Sequence, residues 1–278
     1  DPHVKDKFNL DLFLSNNYVC HFTVMKAEIL KELQLRTDFD GAQDYDLILR
    51  FCNRLFQEEL ANLQIDPESM RLSEPVQDVF NNKITHVSKI LYHWRCHSNS
   101  TAENPASKMY AYEAGKRAIE DFLKQRNVVA KVVYMKHLGF YKIYYYGELF
   151  SQRTEIGLLG GRIIKNNRIY AGAMDEKGNV LYAGLHKRFS GDMHKAVLYQ
   201  NVEAVDINCM VIREELMPLY QKYFGRELCF FQEEDGLKPV CTKQEIHQEL
   251  LSKSIAFCKE VRSLGYLILW DPDWEMEL

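Results

Sequence analysis

The stretch Phe39-Asp40-Gly41-Ala42-Gln43-Asp44-Tyr45-Asp46-Leu47-Ile48-Leu49-Arg50 decides how this chain is read. Phe39-Asp40-Gly41 punctuates, and beyond it Leu47, Ile48, Phe51 and Leu55 recur at helical spacing. That period predicts an amphipathic helix over 44–57 with Asp44 in its first turn, where the helix macrodipole favours an ionised carboxylate. On the residues alone, Asp44 is either a cap for the helix start or a positioned base. Asp46 is rotated from it by about 200°, so it is expected to face elsewhere and to hydrogen-bond locally.

Upstream, the apolar run from Tyr18 to Met25 suits a strand, followed by a helix near 26–33. Downstream, 58–82 holds two prolines among acidic and amide residues and reads as an excursion over the surface. Residues 84–95 read as one or two short strands. A long helix is predicted over 107–124, with Ala114, Ala118, Ile119 and Phe122 near one face. Its end sets the expected boundary between a first segment, 1–127, and a second, 128–278. The second segment offers aromatic strands around 131–146, a buried strand over 157–164, a turn at 165–168 and a hairpin through 175–179. A strand over 202–212, a short helix over 213–222, a long helix over 244–264 and a last strand over 266–270 complete it. Strands and helices mixed in this order predict an α/β architecture.

Composition narrows the function. The net charge of −4 arises from 35 basic and 39 acidic residues without a long block of either sign, which argues against nucleic acid as a partner. Seven scattered cysteines with no C-x-x-C pair read as reduced thiols of an intracellular, cytoplasmic protein. No apolar run approaches the roughly 18 residues of a membrane span, so any membrane association is expected to come through partners. The nine histidines include no H-E-x-x-H pair, Gly160-Gly161 lacks the spacing of a phosphate loop, and no G-x-S-x-G anchors a serine triad.

Two stretches of the first segment resemble the back half of a family-2 glycosyltransferase domain of the GT-A fold. The stretch from Phe39 to Arg50 is similar to that family's acidic catalytic motif. The stretch Ile90-Leu91-Tyr92-His93-Trp94-Arg95-Cys96-His97-Ser98-Asn99-Ser100-Thr101-Ala102 is similar to a segment that closes the donor site in bacterial polysaccharide enzymes. The second segment resembles the same family from a different cut, through Ile156–Ile164, Gln200–Asp206, Cys209–Arg213 and Gly265–Pro272. The resemblance therefore implies a partial GT-A-like mixed sheet with flanking helices, in two segments, each without the βα units that hold the nucleotide.

What the resemblance implies chemically is transfer of a sugar from a nucleotide sugar to a glycan acceptor in cell-surface polysaccharide biosynthesis. Asp44 would be the general base, with Gln43, Asp46, His93, Trp94 and Arg95 contacting substrate and His97 contacting a divalent metal, Mn²⁺ or Mg²⁺. On the residues alone, Arg95 and His97 alternate on an extended stretch, fitting a diphosphate or metal contact or an unliganded Arg and His equally. Trp94 reads as core or as a stacking platform. A second chain, or the rest of a longer protein, would supply the donor half. The other reading is a non-catalytic scaffold or interaction module, or an inactive fragment. It draws on Lys253-Ser254 standing where the second segment's acidic pair would be. Asp271-Pro272-Asp273 falls after the catalytic helix, and its acids read as a loop pair instead of a metal-binding Asp-x-Asp.

Overall fold

A computed structural model describes residues 5, 7–93, 109–225, 230–233, 236–239 and 248–278. It is mixed α/β and divides into two compact units. One comprises the described residues up to Ala61 together with Val79–Gln152, the other Asn62–Asp78 together with Arg153–Leu278. Among the described residues no helix is long and apolar enough to cross a membrane.

The first unit is mainly helical: α1 (Leu10–Ser15), α2 (Ala27–Leu33), α3 (Gln43–Glu58) and α5 (Met109–Gln125), with a helix α4 (Val76–Lys83) joining it from the other unit. The strands β1 (Ala130–Tyr134) and β2 (Tyr141–Tyr145) pair as an antiparallel hairpin, and the short α6 (Leu149–Gln152) ends the unit. The α3 pattern does as its spacing predicts: Tyr45, Ile48, Leu49, Cys52, Leu55 and Phe56 are buried on one face. They meet the buried face of α5, which includes Ala114, Ala118, Ile119 and Phe122. Gly115 of α5 makes room for the Tyr141 side chain of β2, because a Cβ there would collide with the Tyr141 hydroxyl. Asn53 Nδ2 donates across the helix pair to Gln125 Oε1 at 3.2 Å. Every residue of α1 is buried, and its start is capped by Asn9 Oδ1, which accepts from the Leu12 N–H at 3.1 Å.

Two expected strands are absent. Tyr18–Met25 is irregular, with Phe22 and Val24 exposed and the Val19 and His21 carbonyls taken by Lys5 Nζ at 3.1 and 2.9 Å. Residues 84–93 form no strand either, and Val87, Ile90, Leu91 and Tyr92 lie exposed. Apolar, β-branched character becomes a strand only where a partner edge is available. The break in compactness comes after Gln152, not after residue 127, because the β1–β2 hairpin packs on α5 and α1.

The second unit is built on a curled, mixed five-stranded sheet. Its central strand β3 (Ile156–Lys165) runs parallel to the last strand, Leu267–Glu277, in the register Leu158↔Ile268 and Gly160↔Trp270. On the other side of β3 lie β4 (Arg168–Ala171), reached through a turn at Asn166 and Asn167, and, after the two-residue strands β5 (Ala173–Met174), β6 (Gln200–Asn201) and β7 (Ala204–Val205), the strand β8 (Met210–Ile212). β6 pairs antiparallel with the last strand. The helix α7 (Met217–Phe224), a hairpin of β9 (Phe230–Glu233) and β10 (Gly236–Pro239), and the helix α8 (Gln248–Ser263) lead to that last strand, β11 (Leu267–Glu277).

Gly160 and Gly161 on β3 are packing glycines. A Cβ at Gly160 would overlap the Val205 side chain, and one at Gly161 would lie 2.7 Å from Cys209 Sγ. The strand expected over 202–212 is broken in the middle, because Asp206 Oδ1 accepts from the Asn208 N–H at 2.8 Å and turns Ile207–Cys209 into a 3₁₀ turn. The excursion expected over 58–82 instead serves the second unit between Asn62 and Asp78. There Arg71 Nη1 donates to the Ser263 carbonyl at 2.8 Å and the Leu72 N–H to the Leu264 carbonyl at 2.9 Å, satisfying orphan acceptors at the end of α8.

Candidate functional site

The site grows from the turn that starts α3. Gly41 adopts φ +87°, a left-handed conformation that favours glycine, and lets the chain enter the helix beside Ala111. Ala42 at the cap position supplies no side-chain hydrogen bond. Asp44 Oδ1 accepts from the Tyr45 N–H at 2.8 Å and from Asn17 Nδ2 at 3.4 Å. The carboxylate is half-buried, and Gln43 beside it is exposed.

Asp46 has a different environment. It is 1% exposed and gripped by two guanidinium groups: Arg36 Nε and Arg50 Nε donate to its Oδ2 at 3.2 and 2.9 Å, and Arg36 Nη2 also pairs with its Oδ1. Arg36 goes on to Asp121 at 2.7 Å, and these carboxylates push the guanidinium pKa upward. Arg50 also donates to the Gln34 carbonyl at 2.6 Å, which ties the chain before α3 to the helix. Asp46 is therefore part of the scaffold of the helix start, and its oxygens are already occupied.

Folding brings Cys20 and His21 to Asp44. One ligand atom from each of the three lies within 4.8 Å of the others. The Cys20 thiol is partly buried, with Sγ 3.5 Å from the Asn17 carbonyl oxygen. Burial, reinforced by the adjacent Asp44 carboxylate, pushes its pKa up to about 12. The His21 imidazole is exposed and its ring lies 5.5 Å from that of Tyr92. Asn17 Oδ1 is buried without a hydrogen-bond partner, whereas its amide nitrogen reaches Asp44.

Of the other residues singled out from the sequence, His93 is exposed and follows Tyr92 directly, whereas Trp94, Arg95 and His97 lie outside the described residues. The Mn²⁺ or Mg²⁺ expected from the resemblance takes oxygen ligands. The cluster among the described residues offers one carboxylate, one imidazole and one thiol, a donor set that does not suit those ions. In the second unit, Ser254 is buried, accepts from the Ile207 N–H at 3.1 Å and donates to the Leu250 carbonyl at 2.8 Å. Asp271 accepts from the Asp273 N–H at 2.9 Å and from the Tyr199 hydroxyl at 2.8 Å, and the Asp-Pro-Asp stretch lies at the irregularity of β11 where its register against β3 shifts between Trp270 and Glu275.

Sequence reasoning missed Cys20 and His21. As neighbours in the strand expected there, they would have pointed to opposite faces and could not have shared a site. The usable signal was the dipeptide itself, two metal-ligating residue types side by side.

No protein-family model matches the chain, and no solved structure matches it. Two curated proteins share part of it. The chain is 36% identical over 124 residues to the uncharacterized protein y4gI of Sinorhizobium fredii, a stretch covering 44% of this chain and 11% of that protein. It is 33% identical over 132 residues to the O-antigen biosynthesis protein RfbC of Myxococcus xanthus, covering 47% of this chain and 8% of that one. The match thus spans only about a tenth of the length of either relative.

Proposed function

We propose that this chain is part of a glycosyltransferase that builds a cell-surface polysaccharide, with Asp44 as the general base. The acceptor hydroxyl oxygen attacks the anomeric carbon, the bond from that carbon to the nucleotide diphosphate breaks with its electron pair leaving on the diphosphate, and the acceptor proton passes to Asp44. The observation that carries this reading is the unequal fate of the two acids in one helix turn. Asp46 is closed off by Arg36 and Arg50, whereas Asp44 remains half-exposed and oriented by the Tyr45 N–H and Asn17. A rigid, ionised carboxylate that an acceptor can reach is what the proton transfer requires. Similarity to a protein named for O-antigen biosynthesis supports the polysaccharide setting, and the nucleotide-sugar donor would be held largely by a part of the enzyme outside this chain.

A scaffold role is favoured by one specific observation. Where the resemblance would set a carboxylate in the second unit, Ser254 is fully buried and engaged with backbone, so that position offers no second base. Turnover of the assembly that contains the donor half separates the two readings: Asp44→Asn is expected to abolish transfer if this chain supplies the base. Full turnover in that variant would leave the scaffold reading in its place.

A further inference from the structure

The Cys20, His21 and Asp44 cluster has a chemistry that base catalysis does not use. We propose that these three side chains form a binding site for one thiophilic divalent cation of the Zn²⁺ type. Thiolate sulfur, imidazole nitrogen and carboxylate oxygen are the ligand types Zn²⁺ accepts, and three protein ligands with a fourth position left to water is the pattern of its open sites. Mg²⁺, Ca²⁺ and Mn²⁺, which favour oxygen, are selected against by the sulfur and nitrogen donors.

The geometry is nearly closed. Tetrahedral Zn²⁺, with bonds of about 2.0–2.3 Å, sets its ligand atoms about 3.5 Å apart, and here they all lie within 4.8 Å of one another. Adjustment of the three side chains by about 1 Å closes the remaining distance.

The surroundings are organised as a metal site needs. Lys5 Nζ donates to the carbonyls of Val19 and His21 on either side of Cys20 and holds the loop in shape. Asn17 Nδ2 donates to Asp44 Oδ1, the kind of outer hydrogen bond that orients a ligating carboxylate. Asn17 Oδ1 is buried and has no hydrogen-bond partner among the described residues, an acceptor that a metal-bound water would satisfy.

Occupation would take the carboxylate of Asp44. On the transferase reading proposed above, on which this consequence alone rests, the cation would switch transfer off. Binding itself is independent of that reading and is measured without any assay of transfer.

The chain stripped of metal is titrated with Zn²⁺ against a chromogenic chelator and, separately, with Co²⁺ while the thiolate-to-cobalt charge-transfer band is followed. One equivalent of Zn²⁺ is expected, together with a Co²⁺ band that Zn²⁺ displaces and excess Mg²⁺ does not. Cys20→Ser is expected to abolish the band, and Cys20→Ser and His21→Ala each to weaken Zn²⁺ binding by at least tenfold. His21 is exposed, so its variant tests the site without disturbing the core. Absence of a charge-transfer band in the parent chain, or Zn²⁺ affinity unchanged in both variants, overturns the proposal. Unchanged sugar transfer in the presence of bound Zn²⁺ would overturn only the switching consequence.

Discussion

Asn17 and Asp44, 27 positions apart, are joined by a hydrogen bond of 3.4 Å from Nδ2 to Oδ1, and Asn17 keeps its own Oδ1 buried without a partner. The amide therefore orients the carboxylate at a local cost. Asn17→Ala removes the hydrogen bond and the orphaned acceptor together, effects that oppose each other in stability. Denaturation free energy is expected to move by less than about 1 kcal/mol, while transfer in the assembly that contains the donor half falls roughly tenfold in kcat, with KM little changed. A large stability loss would show that Asn17 is structural.

Asp44→Asn keeps an acceptor oxygen for the Tyr45 N–H, so the helix start stays capped. Loss of the base is expected to lower kcat by about 10²–10⁴ with donor affinity retained. Steady-state kinetics checks this, and full turnover in the variant removes Asp44 from the base role.

Asp46→Ala has the opposite signature. It leaves Arg50 without its carboxylate, whereas Arg36, 36% exposed, keeps Asp121, so the loss is that of charged hydrogen bonds, about 1.5–3 kcal/mol. Urea denaturation followed by far-ultraviolet circular dichroism is expected to show the loss. A midpoint equal to the parent's would mean the network contributes no more than a surface ion pair.

Alkaline pH should destabilise the chain. Burial pushes the thiols of Cys20 and Cys258 up to about 12, that of Cys52 higher still, and the hydroxyls of Tyr45 and Tyr141 up as well. Raised folded-state values mean that the unfolded chain loses these protons first. The stabilisation is thus intact below the ordinary thiol value near 9 and declines as pH rises toward the folded values. Urea midpoints measured at pH 8, 9 and 10 are expected to fall in sequence, and Cys20 is expected to react slowly with alkylating reagents at neutral pH. Midpoints that rise across that range would contradict the burial of these groups.

Gly160→Ala inserts a methyl group into the Val205 side chain on the crowded central strand. Such overpacking is expected to cost about 1–3 kcal/mol. Trp270 and Trp274 lie on or beside this sheet and give a fluorescence readout of its unfolding. An unchanged midpoint would mean that the strands shift apart freely.

The amino-acid sequence by itself determined the elements whose own periodicity is strong: α3 from Leu47, Ile48, Phe51 and Leu55, α5 from its alanine-rich face, the aromatic strands that became β1 and β2, and the apolar run that became β3. These are local patterns, and burial of one face is enough to select them. Tertiary structure alone decided which apolar runs found a partner. Tyr18–Met25 did not become a strand because no sheet edge among the described residues meets it, and β11 extends to Glu277 because β3 lies alongside it. Asp44 and Asp46 are equivalent as letters in one turn, and the sequence showed only that they face different ways. Which one stays accessible was settled by Arg36 and Arg50, and the company of Cys20 and His21 by a loop in which His21 lies 23 positions upstream of Asp44. Short-range pattern specifies an element, but a site made by residues remote in the chain exists only after packing has brought their side chains together.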